Sequence, residues 1–384
     1  MSIKVPAFLR QLLSISALAL ISTAFLSSCQ SVNTSTVNVG DWALSSEFSG
    51  NPRTQAASFV ININGTDVVY VGGGYNGTLN VRDSDWYKFD ETNGTWYKIA
   101  TFPGTPRNLA VGFTVNGKGY VATGYDGTNW LDDVWQYDPT QGLPGPDGAP
   151  MGKWTQMNDF GGGARYGAVA FAVGNNGYIA SGVDSTTTVL KDMWIYNAAA
   201  DTWSEGADLG GGASNGTGVG SNIGNDKRQN AVAFVYTNPI TKTQTPYVIT
   251  GVNNGTYVDD VLSYNTSTDT WRAWRKINDT NDSSYDASYG TNILRSDASV
   301  FLINDTAYLV CGNYNGVIGT TWCYDIGNDQ WFQKSSFEGS AREGAIGFNI
   351  NNHGYLTTGS NGNNYYDDTW QFFPDAALTS NDNY

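Results

Sequence analysis

Apolar and polar residues alternate over short segments along the chain after residue 40, and tight-turn pairs separate many of these segments. Segments 168–171 (AVAF) and 177–182 (GYIASG) are typical, with the pair Asn176-Gly177 between them. Alternation with a period of two is typical of β-strands, and Asn-Gly favours hairpin turns. No long segment after residue 40 has the apolar period of a helix. The pattern therefore predicts an all-β protein of short antiparallel strands.

One pattern recurs in six copies. Each copy begins with an Arg, has Ala three and Phe six residues later, and continues to a Tyr followed four residues later by Gly. An aromatic-x-aromatic pair and, in most copies, a later Trp follow; copy four has Leu262 and Tyr264 instead of the pair. Four short strands per repeat, repeated radially, predict a six-bladed β-propeller with four-stranded blades. The six arginines are Arg53, Arg107, Arg165, Arg228, Arg295 and Arg342.

The last copy is incomplete. No Trp follows Phe372, but Trp42 and Phe48 near the start of the chain have the missing spacing. The N-terminal strand is therefore expected to close the last blade, with residues 41–48 pairing with the strand around 368–373. A closed ring leaves no open sheet edge at the junction. The predicted propeller spans 41–376, and a tail covers 377–384.

The repeat resembles the kelch family through its Tyr-x3-Gly, its Trp-x-Tyr and its later Trp, across residues 42–373. The kelch double glycine survives only as Gly73-Gly74; elsewhere Thr, Ser or Cys holds its first position. Kelch propellers include copper oxidases similar to galactose oxidase, whose copper site needs two His. His353, in the predicted turn 351–354, is the chain's only histidine. We therefore expect no copper site, no metal and no cofactor, and a solvent-facing His353 that lacks the neighbours of a Ser-His-Asp hydrolase.

The first residues are typical of an export signal. Lys4 and Arg10 precede the mostly apolar segment 12–26, and Ser27, Ser28 and Cys29 follow. This order predicts a secretory signal, and LSSC resembles the bacterial lipobox. We expect a lipoprotein signal peptide over 1–28, lipidation of Cys29, a flexible tether over 29–40 and an outer-membrane lipoprotein. The alternative is an ordinary signal peptide with Cys29 incidental.

The chain is strongly acidic, with 20 Lys and Arg against 35 Asp and Glu and a net charge of −15. Residues 1–28 hold two cations and no acid, so the exported part is more acidic still. Such a charge repels polyphosphates, which argues against nucleic acid as a partner. The alternative is that acidity only aids solubility. We expect a monomer whose membrane contact is the lipid anchor alone.

The six arginines are the first site hypothesis. Each precedes the innermost strand of its blade, so propeller geometry predicts a ring of guanidinium groups at one mouth of the central channel, where they attract carboxylates. The alternative is structural, because an Asp precedes the aromatic pair in five copies and can pair with the Arg. These residues are Asp85, Asp133, Asp192, Asp260 and Asp368.

Differences between blades predict where a ligand binds. Segments 210–227 and 278–294 are long and polar, and both lie on the face of the arginine ring. We expect a ligand there, contacted by these loops and by some of Arg165, Arg228 and Arg295. Segment 278–286 is either a calcium loop or a solvated one, and the insert 139–152 is a surface loop on the opposite face.

The two remaining cysteines, Cys311 and Cys323, lie on neighbouring strands of copy five. If the turn is centred near Val317 they face each other, and the exported compartment permits a disulfide. The alternative is two packed free thiols.

Two function hypotheses remain. The first is a lipid-anchored binding propeller that holds a glycan or a protein. The second is a sugar mutarotase or epimerase, which resemblance to bacterial sialic-acid mutarotases implies, acting on an acidic sugar. Such an enzyme needs a carboxylate that acts as acid and base, and Glu343 and Glu205 are the candidates by their position in the sequence. The sequence favours the first.

Overall fold

The computed structural model describes residues 39–211, 227–277 and 289–379. The signal peptide, Cys29, most of the tether, the acidic segment 278–286 and most of loop 210–227 lie outside these residues. The described part contains six four-stranded antiparallel sheets, which confirms the predicted six blades.

The blades follow one another along the chain, and their strands are given from the innermost to the outermost. Blade 1 has Ala57–Ile63, Thr66–Gly72, Trp86–Asp90 and Thr95–Lys98. Blade 2 has Val111–Val115, Lys118–Ala122, Val134–Asp138 and Lys153–Met157. Blade 3 has Val169–Val173, Asn176–Ala180, Met193–Asn197 and Thr202–Gly206. Blade 4 has Val232–Thr237, Gln244–Ile249, Val261–Asn265 and Thr270–Ala273. Blade 5 has Ser299–Ile303, Thr306–Val310, Thr321–Asp325 and Gln330–Lys334. Blade 6 has Ile346–Ile350, His353–Thr357, Asp368–Ala377 and Val39–Glu47.

The innermost strands contact each other in cyclic order and surround a central channel. Within a blade, hairpin turns join the first strand to the second and the third to the fourth; we call this end the hairpin face. The other end, the loop face, carries the connections between blades. Four short two-stranded ribbons lie at the loop face: Tyr75–Asn76 with Val81–Arg82, Arg165–Tyr166 with Val183–Asp184, Val252–Asn253 with Thr256–Tyr257, and Ser360–Asn361 with Asn364–Tyr365. A helix of five residues, Tyr289–Ile293, precedes blade 5.

The N-terminal strand closes the last blade, as predicted. Trp42 lies opposite Phe372 and Leu44 opposite Trp370, and the pairing extends from Val39 with Ala377 to Glu47 with Asp368. The strand therefore begins two residues before the predicted boundary at 41 and pairs beyond 373. Trp42 is fully buried and lies 4.7 Å from the Phe372 ring centre.

Aromatic side chains pack blade against blade. In blade 2 the Phe113 and Tyr120 rings stack with 5.1 Å between their centres. A Cβ on Gly119, next to Tyr120, would come within 2.2 Å of Phe59 in blade 1. Glycine at this position therefore lets the Phe of the preceding blade reach the sheet. The equivalent Gly177 and Gly354 receive Phe113 and Phe301 in the same way.

The two cysteines do not face each other. Cys323 lies opposite Tyr308, and Cys311 comes just after the strand ends at Val310, where its N–H donates to Thr320. Both thiols are free and buried. The expected register is wrong because the strand pairing places Thr321, rather than Cys323, next to the end of the partner strand. Burial raises the pKa of Cys311 to about 11, so this thiol is protonated at neutral pH.

His353 begins a strand and is half exposed, but it has a partner. Its Nδ1 lies 2.6 Å from Glu91 Oε1 of blade 1, and Glu91 also accepts from Tyr355 at 2.9 Å and from Asn351 at 2.5 Å. Burial would raise the pKa of Glu91, but these hydrogen bonds outweigh it and lower the pKa. The cluster joins blade 6 to blade 1 at the hairpin face.

Within the described ranges, no helix has the length and apolar character needed to cross a membrane. The same ranges contain no cluster of three or more His, Cys, Asp or Glu side chains arranged to hold a metal ion.

Removing the closing strand tests how much the ring depends on it. Deletion of residues 30–49 removes Trp42, whose loss alone is worth about 3–5 kcal/mol in a packed core, and leaves strand Asp368–Ala377 without its outer partner. We expect the melting temperature to fall sharply or cooperative unfolding to be lost, as measured by circular dichroism. Deletion of residues 30–36 is the control. Equal melting of both deletions would contradict a closing role for the strand.

Candidate functional site

The repeated arginines lie inside the blades. Arg107 is typical: its Nε donates to Thr105 O at 2.8 Å and its Nη1 to Thr123 O at 3.1 Å. Its two terminal nitrogens also contact the Asp133 oxygens at 2.5 and 2.7 Å. The guanidinium group therefore joins the start of a blade to the end of its second strand and the beginning of its third.

All six arginine side chains are buried, with at most 2% of their surface exposed. Five pair with the Asp of their own blade, as the structural interpretation of the sequence predicted. The pairs are Arg53–Asp85, Arg107–Asp133, Arg165–Asp192, Arg228–Asp260 and Arg342–Asp368. The expectation of guanidinium groups open to a ligand at the channel mouth is not met, because each side chain turns away into its own sheet.

Arg295 is the exception to the pairing. Thr320 occupies the position of the missing Asp, and its Oγ1 accepts from Arg295 Nη2 at 2.9 Å. The remaining donors go to main-chain carbonyls, including Cys311 O at 2.8 Å. Burial without a neighbouring carboxylate lowers the pKa of Arg295 to about 10.

The carbonyl group that each of these arginines binds belongs to a residue in the left-handed conformation. The six residues have φ between 58° and 64° and are Gly73, Thr123, Ser181, Thr250, Cys311 and Thr358. They occupy the first position of the kelch double glycine. A branched residue with positive φ is strained. The hydroxyl groups of Thr123, Ser181, Thr250 and Thr358 are also buried, and none has a hydrogen-bond partner in the described part of the chain. The arginine therefore holds a conformation for which glycine is better suited.

Thr123→Gly tests this strain. The substitution removes an unfavourable φ and an unpaired buried hydroxyl, so we expect the free energy of unfolding to rise by about 1 kcal/mol. Chemical denaturation measures the change, and Gly73→Thr is the mirror variant, expected to lower stability. An equal loss in both variants would show that side-chain packing outweighs strain here.

Thr320→Asp tests the missing pair of blade 5. The new carboxylate would lie where the other blades hold their Asp, and we expect a gain of about 1–3 kcal/mol at pH 7. Burial would raise the pKa of Asp133, but the hydrogen bonds from Arg107 outweigh the effect of burial and lower this pKa. A carboxyl group with a lowered pKa stabilises the fold above its unfolded pKa, so the gain should vanish as the pH falls below about 4. Thr320→Asn is the control; an equal gain in both variants would contradict the charge argument.

A closed ring of main-chain hydrogen bonds surrounds the channel at the loop face. In every blade, the residue two positions after the arginine donates its N–H to the carbonyl oxygen of the equivalent residue in the preceding blade, with N to O distances of 2.7–3.1 Å. All six have φ between 51° and 63°. The axial ring consists of Gln55, Leu109, Gly167, Asn230, Asp297 and Gly344. It lines a cavity of about 160 Å³.

The main chain of the axial ring is regular, but its side chains are not. They form a polar network that crosses the channel mouth. Arg82 Nε donates to Asn108 Oδ1 at 2.7 Å, and Asn108 Nδ2 donates to Gln55 Oε1 at 2.7 Å. Ser296, Asn230 and Gln55 lie near the carboxyl group of Asp297 and act to lower its pKa. The network therefore links a cation near blades 1 and 2 to a carboxyl group in blade 5.

Arg82 is half-buried and lies between two aromatic rings. Its guanidinium carbon is 4.8 Å from the Tyr75 ring centre and 5.2 Å from that of Tyr125. Trp130 and Tyr166 extend the aromatic surface, with 5.2 Å between the Tyr125 and Trp130 centres and 5.8 Å between Trp130 and Tyr166. No carboxylate of the described residues forms an ion pair with Arg82, but Asp126 is near it: burial would raise the pKa of Asp126, whereas hydrogen bonds from Asn129 and the Arg82 charge lower it. Stacking and a single hydrogen bond hold it in place, and these leave donors for an anion.

Asp297 and Glu343 are two acidic groups of this face. Burial raises the pKa of Asp297 to about 6, and the nearby Glu343 charge acts in the same direction. Glu343 itself accepts from Asn313 Nδ2 at 2.6 Å. A half-buried carboxyl group with a pKa near neutrality can donate or accept a proton.

The loop-face site, as we use the term, comprises Arg82, Tyr75, Tyr125, Asp297 and Glu343. Of the residues proposed from sequence, Glu343 is in it, whereas Glu205 lies exposed on the outermost strand of blade 3. The insert 139–152 lies at the hairpin end of blade 2, where Asp147 binds Lys88 at 2.6 Å. Sequence reasoning missed Arg82 and Asp297 because neither residue type recurs at the equivalent position of the other blades; a search for charged residues that are not repeated would have found both.

The chain is similar in sequence to known proteins over a short segment. No protein-family model matches the chain. The N-acetylneuraminate epimerase of Yersinia enterocolitica is 40% identical over 80 residues, which cover 18% of this chain and 19% of the relative. The protein of the same name from Pasteurella multocida is 37% identical over 83 residues, or 19% of this chain and 20% of the relative. These matches span about a fifth of the length of the curated relatives.

A solved structure described as the structure of YjhT superposes with a TM-score of 0.61 at 16% sequence identity, covering 84% of this chain and 96% of that one. Identity at this level supports the fold alone. The blades and the closure define the chain as a six-bladed β-propeller, and its repeat resembles that of the kelch type. It is similar in fold to YjhT and, over a short segment, in sequence to N-acetylneuraminate epimerases.

Proposed function

We propose that the protein is a lipid-anchored propeller of the cell envelope whose loop-face site binds an acidic sugar such as N-acetylneuraminate. The observation that carries the proposal is Arg82, a half-buried cation that stacks between Tyr75 and Tyr125 and has no ion-pair partner among the described residues. An arginine so placed presents a planar pair of donors to a carboxylate. The short matches to N-acetylneuraminate epimerases support the same class of ligand.

The surroundings of Arg82 fit a sugar that carries a carboxylate. Aromatic rings provide apolar surface for the face of a pyranose, and the amides of Asn108, Gln55 and Asn230 offer hydrogen bonds to hydroxyl groups. Asp297 and Glu343 are close enough for the charge of Glu343 to act on the pKa of Asp297, and both would repel a second carboxylate. The site therefore favours a ligand with one negative end and a neutral, hydroxyl-rich remainder.

A second candidate function is mutarotation of the bound sugar, and Asp297 is the observation that favours it. Its carboxyl group, with a pKa of about 6, exists in both protonation states near neutral pH. Interconversion of anomers needs a proton removed from one oxygen and delivered to another, and such a group can do both. Exchange between anomers, followed by NMR, tests this: Asp297→Asn should abolish acceleration while the sugar still binds.

The anchor is part of the proposal and has its own test. Growth with a radioactive fatty acid should label the wild-type protein and not Cys29→Ser. Label that persists in the variant would remove the lipoprotein assignment and leave the binding proposal intact.

Arg82→Gln is the test of the binding site. We expect the Kd for N-acetylneuraminate to rise about 10- to 100-fold, because the substitution removes a charge-assisted contact worth roughly 1.5–3 kcal/mol. Isothermal titration calorimetry on the full-length protein measures it. Lys153→Gln, which removes an exposed cation on the outermost strand of blade 2, is the matched control. Unchanged affinity in Arg82→Gln, or an equal loss in the control, would contradict the site.

A further inference from the structure

A groove of about 670 Å³ opens at the hairpin face between blades 4 and 5, at the opposite end of the molecule from the loop-face site. Its walls are the long hairpin 238–243, the turn that follows Asn265 and residues Ile326 and Gly327 of blade 5. Most side chains in it carry hydroxyl or amide groups. Arg272 is the one charged residue of its lining in the described part of the chain. A groove without any carboxylate is unusual in a chain of net charge −15.

The groove depends on two residues that the propeller repeat does not require. Arg272 and Trp274 follow Trp271, the Trp that recurs in the repeat, by one and three positions. The equivalent pairs in the other blades share no chemistry: Tyr97 and Ile99, Thr155 and Met157, Ser204 and Gly206, Phe332 and Lys334, and Ala43 and Ser45 in the strand that completes blade 6. Because five blades fold with such different residues here, the architecture does not explain the pair in blade 4.

Arg272 is held in position without being satisfied. Its guanidinium carbon lies 3.7 Å from the Trp274 ring centre, and Trp274 is itself fixed by a hydrogen bond from Nε1 to Ser263 Oγ at 2.9 Å. Arg272 Nε is buried and has no hydrogen-bond partner in the described structure. The repeated arginines, in contrast, bind main-chain carbonyls in every blade. Arg272 differs from the other unpaired buried groups because it lies in the wall of an open groove, where its donor can reach an acceptor supplied from outside.

The lining defines the class of acceptor. The volume suits two or three sugar rings, and Tyr236 and Trp274 provide aromatic surface beside the hydroxyl groups of Thr241, Thr243 and Ser263. A single cation among neutral polar groups favours a ligand with isolated carboxylates rather than phosphates or a dense anionic chain. We propose that this groove binds an acidic oligosaccharide of the uronic acid type, with a carboxylate on Arg272 and a sugar ring against the aromatic surface. This second site does not depend on the proposed function of the loop face.

Arg272→Met separates this role from a structural one. We expect the Kd for trigalacturonate, measured by calorimetry on the full-length protein, to rise at least tenfold. The melting temperature should stay the same or rise, because the substitution removes an unsatisfied buried donor and keeps the packing on Trp274. A merely structural arginine would instead give a lower melting temperature. Trp274→Ile, with the residue that blade 1 has at this position, should also weaken binding by at least tenfold.

Binding measurements on two control variants and with a neutral sugar identify the site and the class of ligand. Arg82→Gln should leave trigalacturonate binding unchanged, and Lys153→Gln should do the same. Neutral galactotriose should bind at least tenfold more weakly than trigalacturonate. The proposal is overturned if Arg272→Met keeps full affinity, if the neutral sugar binds as well as the acidic one, or if Arg82→Gln alone abolishes binding. The last outcome would assign the acidic oligosaccharide to the loop face.

Discussion

A buried arginine in each blade holds the loop end of the propeller together. Its guanidinium group binds its own blade, and its main-chain carbonyl accepts an N–H from the preceding blade, as Arg107 O does from Gly74 at 2.8 Å. One residue thus fixes a corner within a blade and the spacing between two blades. The second strand can end at the left-handed residue only because the arginine donates to the carbonyl group that is freed there. The next residue is a glycine, and a small alanine packs against it.

The regular scaffold explains where function can differ. The axial ring has the same main-chain hydrogen bonds in all six blades, yet its side chains range from none in Gly167 to a carboxyl group in Asp297. Arg82 and Arg272 are likewise outside the repeated positions. Neither forms the ion pairs that satisfy five of the six repeated arginines, and each lies against aromatic rings at an opposite end of the molecule. The repeated arginines bind carbonyl groups and, in five blades, a carboxylate of the protein itself, whereas these two have donors that a ligand can use.

The sequence was sufficient for blade number, strand order and closure, because repeated spacing reports a repeated environment. It could not show the direction of the repeated arginine side chains, since a residue before the innermost strand can point to the channel or into the sheet. The Asp in five copies was the signal for the second direction. The pairing of the two cysteines was predicted wrongly for a related reason. The prediction assumed a turn centred near Val317, which would place Cys311 opposite Cys323. In the structure the strand ends at Val310, which pairs with Thr321, and Cys323 pairs with Tyr308. The two proposed sites arise from contacts between different blades, which no single repeat contains.

The closing strand has a consequence for how the chain reaches its native state. The hydrogen bond from Thr379 to Asp41 joins residues 338 positions apart. The entropy of closing so long a loop grows only logarithmically with its length, so the equilibrium cost is modest. The kinetic cost is larger, because contacts of such high order form late. During synthesis the first strand must wait, with Trp42 uncovered, until almost the whole chain has emerged. Blades 1 to 5 can assemble in the order of their synthesis, but the ring becomes one cooperative body only when its two ends meet.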